Sequence, residues 1–166
     1  MKCLLRYAAC AVLSIFLNGA ASADPIPPQL IGTWRLVSNT LEEVASGRKT
    51  DLMGKDPVGF ISYGADGRMM ILQVRSDRMK PKGPVPTPSE AETLFKSFLG
   101  YAGTYSISGS TITHHVDLSW NEAWTGTDQV RTFSFQGNRV TLATEASADP
   151  IHGIVGVRRL VWEKVK

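Results

Sequence analysis

The chain has 166 residues, 43% of them apolar and 20% charged, and a formal net charge of +3. Lys and Arg are interspersed with acidic residues, so no basic stripe of the kind that binds nucleic acid is present. Any reading that needs a disulfide scaffold is also excluded, because the only two cysteines, Cys3 and Cys10, fall in the first ten residues.

Residues 1–23 have the three parts of a secretory signal. Lys2 and Arg6 make the positive region, Ala8 to Leu17 the apolar segment, and Ala21-Ser22-Ala23 a small-residue cleavage site. The apolar segment is about half the length needed to span a bilayer, so no membrane span is expected. Cys10 lies inside that segment rather than at the cleavage point, which argues against a lipid anchor. Export to the periplasm or beyond the cell follows as the expectation. Cleavage removes both cysteines and two basic residues, so the formal charge falls from +3 to +1. Residues 24–166 remain, enough for one domain to bury a core without staples.

Asp24 to Gln29 holds three prolines and reads as a loosely ordered lead-in. Leu30 to Ser38 reads as a strand with Trp34 and Leu36 on one side and Arg35 and Val37 on the other. A turn is expected at Ser46-Gly47. Val58 to Tyr63 and Arg68 to Arg75 read as a hairpin closed by Gly64-Ala65-Asp66-Gly67. Met69 to Leu72 is apolar on both faces, which predicts a barrel interior on one side and a cover on the other.

Ser76 to Pro88 is a proline-rich loop. Ser89 and Glu92 have capping-box spacing, and Ala91, Leu94, Phe95, Phe98 and Leu99 form an apolar stripe ending at Gly100. This predicts one short helix, packed on a sheet as a plug or strut or closing a cavity as a lid. From Tyr101 to Ala143 apolar and polar residues alternate through Ile112, Val116 and Leu118, then Phe133 and Phe135, then Val140 and Leu142, with turns at Ser108-Gly109-Ser110, Asn121 to Thr127 and Gly137-Asn138. Asp149-Pro150 marks a loop, and Ile154 to Val165 a last strand with Leu160 and Trp162 on one side. Short strands, one helix and no βαβ alternation predict an all-β fold, an antiparallel closed barrel of about eight strands.

Several stretches carry a resemblance: Gly32-Thr33-Trp34, Gly64 to Met69, Tyr101 to Tyr105, His114-His115-Val116, Trp124 to Arg131, and Leu160 to Glu163. Through them nearly the whole mature chain resembles the lipocalin-like domain family, a branch of the calycin barrels. The resemblance implies an eight-stranded or slightly larger barrel with a ligand cavity. It also implies an arginine of the last strand stacked on the tryptophan of the first, a part for Arg158 or Arg159 on Trp34.

His114 and Arg131 fall on the apolar side of their strands. Neighbouring strand residues point to opposite faces, so His114 and His115 cannot share one metal without a bulge, and no metal is expected. An isolated inward histidine is ordinarily a satisfied core residue, with a ligand contact as the alternative. An inward guanidinium needs an acceptor, either in the protein or on the acidic head of a bound molecule. Gln129 and Phe133 share the Arg131 face, and Tyr105 and Trp124 are candidate aromatic walls. These six residues are the candidate ligand site. Glu122 is the nearest candidate general base. No nucleophile elbow, phosphate loop or dinucleotide fingerprint occurs, so no cofactor is expected. The reading is an exported barrel that binds a small, largely apolar or amphipathic molecule. The alternatives are a cofactor-independent isomerase or cyclase using the same cavity, and an interaction protein whose barrel is filled by its own side chains.

Overall fold

A computed structural model describes residues 23–166, so the leader read in the first 23 residues lies, but for Ala23, outside the described residues. Ten strands, β1 (Gly32–Glu43), β2 (Lys49–Asp51), β3 (Val58–Tyr63), β4 (Arg68–Val74), β5 (Phe98–Ser108), β6 (Thr111–Ser119), β7 (Asp128–Gln136), β8 (Arg139–Ala143), β9 (Ser147–Ala148) and β10 (Val155–Lys164), form one antiparallel sheet, and α1 (Pro88–Lys96) joins β4 to β5. Strand β10 pairs back onto β1, from Trp34 opposite Lys164 to Glu43 opposite Gly156, and this closes an eight-stranded barrel. β2 and β9 are short additions to β1 and β10.

The alternation read in the sequence fills the bore. Trp34, Leu36, Ile61, Tyr63, Met69, Ile71, Tyr101, Tyr105, Ile107, Ile112, Val140, Leu142, Leu160 and Trp162 are all buried. Gly67 takes the positive φ of the β3–β4 hairpin, at 79°.

Two bulges change what faces inward. At Val37 the β1–β10 register slips, so the inward set passes from Trp34 and Leu36 to Asn39 and Leu41. In the β5–β6 pair the register slips between Ala102 and Gly103, which turns Leu118 outward, contrary to its place in the sequence alternation. Gly103 is required there, because a Cβ would lie 1.9 Å from the His115 carbonyl oxygen.

The two barrel ends differ. At one, the segment Asp24 to Ile31 is tied down, not loose. The Asp24 N–H donates to the Ile107 carbonyl at 2.8 Å, the Asp24 carboxylate accepts from the Gly109 N–H at 2.7 Å, and Leu30 is fully buried with its carbonyl accepting from Trp34 Nε1 at 2.9 Å. Lys164, opposite Trp34 in register, sets Nζ 4.4 Å from the Trp34 ring centre and donates to the Gln29 and Ile31 carbonyls. Lys164 therefore takes the part expected of Arg158 or Arg159: Arg158 turns into the barrel and Arg159 faces out. At the opposite end Leu52 and Met53, which follow β2, are buried, and the barrel is open beside β7, β9 and β10.

The helix starts two residues earlier than expected. Thr87 is the cap and forms the capping box with Glu90, because Pro88 supplies the preset φ of the first helical position. It ends at Lys96, and Phe98 to Gly100 begin β5. None of its residues is buried, so it is neither plug nor lid, and its nearest aromatic contact sets Phe95 6.0 Å from Trp120 on the outer wall. Met70 and Leu72, expected to be covered, are 58% and 53% exposed.

Candidate functional site

Alternation on β6 and β10 places His114 and Arg158 inside, and alternation on β7 places Arg131 there. His114 is 0% exposed, with its two ring nitrogens each 2.8 Å from a phenolic oxygen: Nε2 from Tyr63 and Nδ1 from Tyr101. Burial, reinforced by the charge of Arg131, holds its pKa well below the usual histidine value, so it is neutral. Both nitrogens being engaged, it has none left for a metal. Burial raises the pKa of both tyrosines. His115 points out, bonded to Asp128 at 2.7 Å and Ser106 at 2.9 Å.

Arg131 is 6% exposed, and its Nη1 has no hydrogen-bond partner among the described residues. No carboxylate there pairs with it. Arg158, by contrast, is paired with Asp149. The Asp149 carboxylate also accepts from the His152 N–H and Nδ1, each at 2.8 Å, and from the Ile151 N–H at 3.1 Å. Burial alone would raise the Asp149 pKa, but the Arg158 charge and the bonds from His152 and Ile151 outweigh it, so the carboxyl sits below its ordinary value.

Two spaces adjoin these arginines. A cavity of about 230 Å³ lies at the open end, walled by Arg131, Arg158, Asp149, Gln129, Trp124 and Leu41. A void of about 10 Å³ lies deeper, beside Tyr101 and His114, and also touches both arginines. The hollow is thus confined to the mouth. It falls below the roughly 300 Å³ at which pockets for drug-sized ligands begin, because aromatic side chains fill the bore.

Of the six residues expected at the site, Arg131, Gln129 and Trp124 line the mouth cavity, and His114 lines the void next to it. Trp124 belongs to a single 3₁₀ turn, Glu122–Trp124, opened by Asn121, and packs edge-on against Tyr101 at 5.7 Å and Trp120 at 5.1 Å. Gln129 Nε2 donates to Thr127 Oγ1 at 3.2 Å. Tyr105 and Phe133 lie elsewhere. Tyr105 donates to the Gly64 carbonyl at 2.8 Å under the β3–β4 turn, and Phe133 packs on Phe135 at the core margin. Glu122 is exposed and bonded to the Thr125 hydroxyl.

Sequence reading missed Asp149, Arg158 and Leu41. Signals existed for two of them: the alternation that sets Leu160 and Trp162 inward also sets Arg158 inward, and an Asp before Pro150 and His152 is suited to an Asx turn that accepts from N–H groups two and three residues on. Leu41 needed the bulge.

A family model described as lipocalin-like domain matches residues 31–165, which includes every strand of the barrel. No curated protein matches the chain.

Proposed function

Because the chain belongs to the lipocalin-like domain family, whose barrel supports ligand binding in general, we propose that it is an exported carrier of a small, largely apolar molecule with an acidic head, held at the barrel mouth. Support for export is the charge, apolar run and small-residue site of residues 1–23. The observation that carries the binding reading is Arg131, a buried guanidinium with no acid partnered to it among the described residues, on the wall of the mouth cavity. A buried unpaired charge costs stability that the fold itself does not recover, and an anionic ligand head would recover it. The apolar body would lie against Trp124 and Leu41.

A second reading, an interaction protein with a filled barrel, is favoured by the outer wall. Met70, Leu72 and Leu118 are exposed around a groove of about 340 Å³ on β4 to β6, and Phe60, also exposed, stands opposite Leu72 on β3. Nothing comparable supports the isomerase, since Glu122 is exposed and bonded to the Thr125 hydroxyl, and both His114 ring nitrogens are engaged by tyrosines. Native mass spectrometry of the protein taken from its own host tests both readings. A monomer carrying a small extra mass, lost in Arg131→Gln, is the expected result. A dimer, or a monomer with no added mass, would contradict the carrier and leave the outer wall as the better account.

A further inference from the structure

Tyr63, His114 and Tyr101 hold more protons than the bonds among them use. A neutral imidazole has one N–H and one bare nitrogen, so with two phenolic O–H groups there are three protons for two hydrogen bonds. A cationic ring would make four. In either state at least one tyrosine hydroxyl proton has no acceptor among the described residues, although both tyrosines are buried.

Two arrangements satisfy the neutral chain. In one, Tyr63 donates to Nε2, Nδ1–H donates to Tyr101, and the Tyr101 proton is free. In the other, Tyr101 donates to Nδ1, Nε2–H donates to Tyr63, and the Tyr63 proton is free. Only Tyr101 lines the void of about 10 Å³, together with Arg131 and Arg158. That volume suits about one oxygen atom. So a neutral donor and the unpartnered Nη1 of Arg131 belong to side chains that border one oxygen-sized space, and that space shares both its arginines with the mouth cavity.

We propose that the void receives one carboxylate oxygen of the ligand, which accepts from the Tyr101 hydroxyl and the Arg131 guanidinium while the apolar body rests in the mouth. This rests on the carrier reading and narrows its ligand to a small monocarboxylic acid. Among the described residues Asp149 is the one buried carboxylate that lines the cavity with Arg131 and Arg158, which leaves one positive charge for one anionic group. Seating that oxygen also selects the arrangement in which His114 carries its proton on Nδ1.

Benzoate and benzamide, alike in shape and different in charge, serve as probes. Calorimetric titration of the processed protein is expected to show benzoate bound at least about tenfold more tightly than benzamide. Tyr101→Phe weakens benzoate about tenfold and benzamide less, because the hydrogen bond to a carboxylate is the stronger, and so narrows their ratio without erasing it. Arg131→Gln erases the ratio. ¹⁵N spectra of His114 in the unaltered protein are expected to move toward the Nδ1–H form as benzoate is added, a readout that needs no variant to fold. Benzoate affinity unchanged in Tyr101→Phe, or a tautomer mixture indifferent to benzoate, would overturn the proposal while leaving the mouth cavity as a binding site. Failure of both probes to bind, with no co-purified mass, would remove the carrier reading as well.

Discussion

The two ends of the barrel use charge in opposite ways. At the closed end the Lys164 ammonium is spread over the Trp34 ring and two carbonyls, and the Trp34 N–H is bonded to Leu30. Trp162 Nε1 there lacks a partner among the described residues, but an unbonded indole is neutral and costs far less than an unpaired guanidinium. At the open end Arg158 is neutralised by Asp149, and Arg131, with the same chemistry, is not. The contrast teaches where the fold is secured and where it carries an unrecovered cost. Such a cost is the usual mark of a site arranged for something other than stability.

The largest expected effect lies at the closed end. Trp34→Ala removes a fully packed indole, its bond to Leu30 and the surface under Lys164, and is expected to cost about 3–5 kcal/mol in urea unfolding. Benzoate affinity of the folded fraction should be unchanged, since no mouth residue touches Trp34 among the contacts described. A loss of binding in step with stability would break the separation between the ends.

Next is Asp149→Asn. It leaves Arg158 buried without its acid and is expected to cost about 3 kcal/mol. The sign of its pH dependence follows from the depressed carboxyl. A folded-state pKa below the unfolded value of about 3.9 means that the contribution is present above about pH 4 and is lost as pH falls through the folded value. Urea midpoints measured from pH 7 down to pH 2 should therefore fall more steeply in the unaltered protein than in Asp149→Asn. Parallel curves would mean that the pair does not hold the mouth segment.

How much of this the sequence disclosed depends on whether the relevant physics was local. Alternation and Gly-Ala-Asp-Gly turn chemistry located β3 and the β3–β4 hairpin, and inward alternation identified His114 and Arg131. Bulges, which are set by pairing with a distant strand, hid Leu41 and reversed Leu118. The lead-in looked loose because its bonds go to Ile107 and Gly109, more than eighty residues on. The partners of His114 were hidden for the same reason. Tyr63 lies 51 residues away, and only the closed barrel brings it to Nε2.

The central point is that Arg131 is buried and that no described residue neutralises it. Its most direct test is the urea unfolding free energy of Arg131→Met, in ligand-free protein, against the unaltered chain. The account predicts a gain of about 1 kcal/mol or more, because an apolar side chain of similar length replaces an unpaired charge. A loss of that size would show that the guanidinium is already paired inside the fold, and would contradict the account.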